Sequence, residues 1–200
     1  LGDRANELGW MPKSDALPSG RKVLIIGAGP AGLSAAYHLR QFGHEVEIRE
    51  AGAEAGGMMR YGIPAYRLPR NILDAEVQRL EKMGVKITLN HKVEDAVKEK
   101  QQGGFDAVFV CVGAHISKRT DIPARDASKV LDAVSFLRGM ESGEQPVIGR
   151  RVAIYGGGNT AMDAARTAKR LGATDAMIIY RRDREHMPAH DFEAVEAEEE

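Results

Sequence analysis

The chain has 200 residues, enough for one large domain or two small ones, and its 43% hydrophobic and 28% charged content suits a globular protein with a core. Its net charge of −1 comes without a basic run, which argues against nucleic acid as a partner. No apolar stretch approaches the ~20 residues of a membrane span, no signal peptide is visible, and the single cysteine, Cys111, excludes an internal disulfide, so a cytoplasmic location is expected.

Residues 1–20 read as a linker, with Pro12, Pro18, Ser19 and Gly20 after a short helical stretch at Asp3–Gly9. Arg21-Lys22 lead into Val23–Ile26, an apolar β-branched run of the kind that forms a buried parallel strand. Gly27-Ala28-Gly29-Pro30-Ala31-Gly32 follows, with Pro30 near the first helical turn, where its missing N–H costs nothing. A helix through Leu33, Ala36 and Leu39 stops at Gly43, and Val46–Arg49 form a second strand with Glu50 at its carboxyl end. The spacing of Ile72, Leu73, Glu76, Val77 and Leu80 predicts a helix over Asn71–Met83, closed by Gly84. Val85–Leu89 and the almost wholly apolar Phe105–Val112 read as strands, the latter ending at Gly113. Leu131–Met140 predict a helix, and Glu141–Pro146 a turn-rich junction.

The pattern then restarts. Val152–Tyr155 form a strand, Gly156-Gly157-Gly158-Asn159-Thr160-Ala161 a second glycine loop, Thr160–Leu171 a helix stopped by Gly172, and Ala176–Tyr180 another strand. Gly27 and Gly43 are as far apart as Gly156 and Gly172, so the chain carries an internal repeat. The expected fold is α/β, with two Rossmann-like dinucleotide-binding units in tandem. The expected domains are 21–145 for the first and 146–200 for an incomplete second. The start at Leu1 and the stop in the acidic run Glu196–Glu200, after one βα unit of the second fold, suggest a segment of a longer protein.

Each glycine has a separate task. Gly27 permits the tight turn, Gly29 the approach of a pyrophosphate, and Gly32 the close packing of helix on strand. Free N–H groups and the helix dipole then stabilise phosphate. Glu50, about twenty residues beyond the loop, is placed to accept hydrogen bonds from ribose hydroxyls. In the second unit Ala161 stands for the third glycine, and Arg181 and Arg182 take the place of the acid. A guanidinium pair suits bidentate binding of a 2′-phosphate, whereas a carboxylate would repel it, so NADP(H) is favoured over NAD(H) there. The glycine pattern leaves open whether FAD or NAD occupies the first loop.

The segment Gly56-Gly57-Met58-Met59-Arg60-Tyr61-Gly62-Ile63-Pro64-Ala65-Tyr66-Arg67-Leu68-Pro69, taken with Gly156–Asp163 and Tyr180-Arg181-Arg182, bears on that choice. It resembles the FAD/NADPH module of the glutamate synthase small-subunit family, related to the flavin module of dihydropyrimidine dehydrogenase and to adrenodoxin-reductase-type enzymes. The resemblance covers nearly the whole chain, from about Asp3 to Glu200. It implies a two-domain flavoprotein with the NADP domain inserted into the FAD domain. Ala31, Glu50, Gly57, Met58 and Val93 would contact FAD, Val93 near the adenine, and Gly113 would end the strand beside the cofactor. Gly157, Gly158, Asn159 and Thr160 would hold the NADPH pyrophosphate, Arg181 and Arg182 its 2′-phosphate, and Glu193 would be a further NADP contact. The family usually has Pro-Gly where this chain has Pro123-Ala124. Complete members also have a cysteine-rich iron–sulfur segment upstream and a return to the FAD domain downstream. Asp3–Gly9 with Trp10 resembles the connector that follows the cluster segment.

The implied reaction is hydride transfer from nicotinamide C4 to flavin N5, which needs no acid–base side chain. Electrons would leave through an iron–sulfur cluster on a segment absent from this chain, or through an electron-acceptor subunit with iron–sulfur or flavin centres. With one cysteine, dithiol chemistry of the thioredoxin-reductase kind is excluded within the chain. The same module in a dihydropyrimidine dehydrogenase or electron-bifurcating transhydrogenase would differ only in its acceptor, and a non-catalytic dinucleotide-binding module is the contrasting alternative. Cys111 is expected to be a packing residue. The six histidines lack metal-ligand spacing, since Pro188 interrupts the pair His186 and His190. Met58 and Met59 either flank the flavin or simply pack, and the acidic tail reads as the solvated start of a helix.

Overall fold

A computed structural model describes residues 2–12, 16–114, 129–143 and 146–200. Pro123-Ala124 lies outside the described residues. The chain divides into two compact units, one drawn from Leu1–Arg60 and Ala65–Ala114, the other from Tyr61–Pro64 and His115–Glu200.

In chain order the first part runs α1 (Gly2–Glu7), β1 (Lys22–Ile26), α2 (Pro30–Gln41), β2 (Glu45–Arg49), α3 (Met58–Tyr61), α4 (Arg70–Lys82), β3 (Lys86–Thr88), α5 (Ala96–Gly103) and β4 (Ala107–Val110). Four strands form a parallel sheet in the order β3-β2-β1-β4. Alternation along the central strands sends side chains to both faces. Ile25, Val46 and Ile48 pack on one side with Leu33 and Ala36 of α2 and Leu80 of α4. Leu24 and Ile26 pack on the other with Phe105, Val93 and Ala96 of α5. Full burial of one such aliphatic side chain is worth about 1.5–3 kcal/mol, so these two layers dominate the unit's stability.

Two helices here go beyond the sequence expectation. α5 has Asp95 as N-cap, its carboxylate accepting from the N–H groups of Val97 and Lys98, and Gly104 at φ +64 closes it. α3 is a single turn begun by Met59 N–H to Gly56 O and Arg60 N–H to Gly57 O. The apolar run expected as a strand over Phe105–Val112 is shorter. Among the described residues β4 pairs only with β1 and forms an edge, with Phe109 44% and Val110 58% exposed.

The second part contains α6 (Ala133–Glu141), β5 (Arg151–Tyr155), α7 (Asn159–Arg170), β6 (Asp175–Ile179) and α8 (Asp191–Glu199). β5 and β6 run parallel, Arg151 opposite Asp175 and Tyr155 opposite Ile179. Phe136 and Leu137 of α6 pack with Ile154, Ala161, Ala164 and Ala165, so α6 shares a core with the strand and helix that follow it. Met162, on another face of α7, meets Ala189 and Ala194. Every residue of 161–168 is buried, and the small side chains on successive faces of α7 let its neighbours close around it. The acidic tail is therefore more than a solvated helix start. Glu193 and Ala194 are buried, and Glu196 and Glu200 pair with the buried Arg166 at 2.6 Å each. The Arg166 guanidinium holds the Glu200 carboxyl below its ordinary range, against the smaller opposing effect of burial.

Glu47 stands on β2 among apolar neighbours, and two cationic partners compensate its burial. Arg49 Nε lies 3.0 Å from one of its carboxylate oxygens, Lys86 Nζ lies 3.2 Å from the other, and Arg49 also pairs with Glu99 of α5. Burial pushes the Glu47 carboxyl up, but the hydrogen bonds from Arg49 and Lys86 together outweigh it and hold the group below its ordinary value. The carboxylate then stabilises the fold above about pH 4.3, and the contribution is lost as pH falls through the depressed value. Glu47→Gln is expected to lower stability at pH 7 by about 1–2 kcal/mol in urea unfolding. The gap to wild type should shrink below about pH 4; a gap independent of pH would show that the charge is not its cause.

Candidate dinucleotide-binding sites

The first glycine loop leaves β1 at Gly27, whose φ of +109 suits glycine and whose N–H donates to Arg49 O at 2.9 Å. A Cβ at Gly27 would stand 2.6 Å from the Cys111 carbonyl oxygen, and one at Gly32 would collide with the carbonyl oxygen of Gly27. Helix α2 thus reaches the strand ends only because both positions lack a side chain. Gly29 is its N-cap and Pro30 its first residue. The amides of Ala31 and Gly32 precede the first turn's bond, Leu33 N–H to Gly29 O at 2.9 Å, and so face outward from the helix start, where anions are favoured.

Glu50 is tied to this loop. One carboxylate oxygen accepts from Ala28 N–H and the other from Gly52 N–H, each at 2.7 Å. Each oxygen keeps a second lone pair, so the group can still accept from a hydroxyl. A second strand of chain closes on the loop at Gly56 and Gly57. Gly56 N–H donates to Ala28 O at 2.8 Å, and a Cβ at Gly57 would come within 2.7 Å of Gly29 Cα. Gly29 and Gly57 therefore meet backbone to backbone and form a cradle that a side chain would fill. Met58, half-buried, opens α3 directly after it. Val93 packs beneath the sheet with Leu24, Ile26 and Phe105, and Gly113 lies exposed after β4 at φ +72.

Sequence reasoning missed what holds Gly57 in place. Arg60 is buried, its Nε donating to Ala55 O at 2.7 Å, and its guanidinium pairs with Asp74 of α4. Arg70 in turn donates to Arg60 O at 2.6 Å and Leu68 O at 2.9 Å. An arginine in a loop-rich segment carries no sequence sign that it will be buried. Cys111, by contrast, sits as expected in packing, its Sγ 3.2 Å from Ile26 O and 3.3 Å from Gly27 O. Burial, helped by the Glu50 charge, pushes its thiol up.

The second loop repeats the first with different chemistry. Gly156, at φ +152, donates its N–H to Ile179 O at 3.0 Å. Gly158 is the N-cap of α7, and the amides of Asn159 and Thr160 precede that helix's internal bonds. Ala161 is buried against α6 and β5, where a third glycine would leave space unfilled. Arg181 and Arg182 are exposed just beyond β6, and among the described residues their side chains make no ion pair or hydrogen bond. Glu193 is 0% exposed within α8, enclosed by the packing of α8 on α7.

The family model for pyridine nucleotide-disulphide oxidoreductases matches residues 21–200, nine-tenths of the chain and both glycine loops. The chain belongs to this family. It has the Rossmann-type α/β fold of a module of such flavin- and NAD(P)H-dependent oxidoreductases. The NADP(+)-dependent formate dehydrogenase subunit beta of Moorella thermoacetica is 47% identical over 94% of this chain and 27% of its own length. A putative glutamate synthase [NADPH] small chain of Cereibacter sphaeroides is 38% identical over 99% of this chain and 51% of its own. The chain thus spans about a quarter to a half of such relatives, as a module of a longer protein would. The glutamate synthase likeness is one of several carried by comparable relatives. Among solved structures, FprA of Mycobacterium tuberculosis superposes with a TM-score of 0.72 over 90% of this chain and 47% of that one, at 21% identity, a likeness of fold. Among the described residues no helix is long and apolar enough to cross a membrane.

Two measurements test the geometry of the first loop. Gly57→Ala should reduce retained flavin at least about ten-fold, because strain at φ +53 is joined by the clash with Gly29. Gly104→Ala, at a similar φ but in open space, should cost only about 1 kcal/mol and leave flavin content unchanged. Equal flavin loss in both would refute the cradle. Alkylation of Cys111 at pH 8 should run at least about ten-fold slower in the folded protein than in urea, and equal rates would contradict its packing role.

Proposed function

We propose that this chain is the FAD- and NADPH-binding part of an electron-transfer flavoprotein of the glutamate-synthase-small-subunit type. Residues from 21 to about 114 would begin the FAD domain, and α6 with 146–200 would begin an NADP domain inserted into it. The observation that carries the reading is the contrast between the two loops. At the end of β2 the carboxylate of Glu50 is fixed against the first loop, while beyond β6 the guanidinium groups of Arg181 and Arg182 stand exposed. A carboxylate accepts from ribose hydroxyls, and paired guanidiniums neutralise a 2′-phosphate. The names of relatives that carry NADP(+) and NADPH agree with that assignment.

In this reading the cradle of Gly27, Gly29, Pro30, Ala31, Gly32 and Gly57 admits the FAD pyrophosphate, and the amides of Ala31 and Gly32 stabilise its charge. Glu50 orients the ribose, Met58 and Gly113 border the cofactor, and Val93 supports the strands beneath the adenine side. Gly156, Gly157, Gly158, Asn159, Thr160 and Ala161 form the corresponding bed for NADPH. Glu193, wholly enclosed, supports α8 under that bed. When bound, the cofactors supply hydride transfer from nicotinamide to flavin, and the protein's part is to bind, orient and exclude water. Electrons would leave to an iron–sulfur centre on a segment outside this chain or on a partner subunit, in the cytoplasm. The 47% relative, a formate dehydrogenase subunit, favours a second reading in which the same module serves another assembly and only the acceptor differs.

The decisive experiment is an anaerobic titration of the full-length protein, following the flavin absorbance. Bleaching by NADPH at least about ten-fold more readily than by NADH is expected. Arg181→Glu with Arg182→Glu should weaken NADPH binding by about 10²-fold or more and leave NADH binding nearly unchanged. A colourless protein that takes up no flavin would refute the electron-transfer role, and equal loss of both nucleotides would refute the 2′-phosphate role.

A further inference from the structure

The second glycine loop contains a third glycine that the dinucleotide pattern does not require. Gly157 lies between the two essential glycines, at the place where the first loop has Ala28. Its φ is ordinary, yet a Cβ there would stand 2.7 Å from Tyr180 Cδ2 and 2.8 Å from Cγ, so the tyrosine ring lies directly on the Gly157 backbone. The same ring carries a hydroxyl that donates to His186 O at 2.9 Å. Tyr180 therefore touches the glycine loop with its face and the middle of the following loop with its tip.

That following loop is fastened elsewhere to the same bed. Ala189 N–H donates to Gly157 O at 3.0 Å, and His190 N–H donates to Asn159 Oδ1 at 3.0 Å. Inside it, Asp183 accepts from His186 N–H at 3.0 Å and lies 2.6 Å from His186 Nδ1. Of the arginines near α7 and α8, Arg166, Arg170 and Arg184 are engaged by carboxylates. Among the described residues Arg181 and Arg182 have no such carboxylate partner, and they directly follow Tyr180.

We infer that Tyr180 is a positioning residue for 2′-phosphate recognition, holding Arg181 and Arg182 at a fixed reach from the glycine loop. The inference rests on the NADPH reading given above. The two phosphate-binding elements must match the span between pyrophosphate and 2′-phosphate, and long arginine side chains on an unanchored loop would lose entropy to find it. A ring seated on Gly157 and a hydroxyl bonded to the His186 carbonyl remove that freedom before the nucleotide arrives. The absence of a side chain at position 157 then serves the tyrosine as well as the pyrophosphate.

The test is Tyr180→Phe in the full-length protein, with NADPH and NADH dissociation constants measured by calorimetry beside the melting temperature. Loss of one hydrogen bond that acts only through the arginines should weaken NADPH about five-fold and leave NADH within about two-fold. Gly157→Ala, which displaces the ring, should move the NADPH-to-NADH ratio the same way; should it not fold, Tyr180→Phe decides alone. An unchanged NADPH constant, or equal weakening of both nucleotides, would overturn the inference while leaving the NADPH reading intact. A wild-type protein that binds NADPH no tighter than NADH would overturn both.

Discussion

Everything at the first glycine loop depends on one close approach, that of α2 to the ends of β1 and β4. The bodies involved are backbone atoms: the Gly27 carbonyl beneath Gly32, and the Cys111 carbonyl beneath Gly27. No rotamer change can relieve a contact of that kind, so a methyl group at either position forces the helix outward. With the helix displaced, its first-turn amides would no longer face the crossing point of Gly29 and Gly57. The surrounding residues fix the geometry from behind, Glu50 through two amides and Arg60 through the Ala55 carbonyl and Asp74.

The two units arrive at similar beds by different means. In the first, a carboxylate on the end of β2 reaches back to the Ala28 amide. In the second, the residue after β6 is Tyr180, and an aromatic face lies where the carboxylate bonds in the first. One loop is closed by a hydrogen bond from its own amide to a charged group, the other by a stacked ring. This difference leaves the charged residues that follow β6 exposed instead of consuming them in the fold.

Much of this was legible from residues close together in sequence. Strand, glycine loop and helix were set by local pattern in both units, from Val23 to Gly43 and from Val152 to Gly172. α5 was not read in advance: Asp95 and Gly104 mark its ends, but its lysines and glutamines have no apolar stripe to draw attention. What could not be read locally were contacts between distant positions. Arg60 is buried because Ala55 and Asp74 converge on it, and α8 is fixed because Arg166, a helix away, takes two of its glutamates. Residues 107–110 look like an inner strand because composition reports apolarity, not which neighbours come to lie alongside.

β4 carries a consequence of its own. Among the described residues its outer rim has no strand partner, and it lies beside half-exposed Phe109 and Val110, with Val112 57% exposed just beyond. Neither proline nor lysine interrupts this rim. Such a rim is a template for another strand, whether from the same polypeptide or from a stranger. Handled as a free fragment, these 200 residues would have a solubility governed by concentration, and self-association would compete with any nucleotide titration. Charge placed on the outer face of β4 would slow that association without touching either glycine loop.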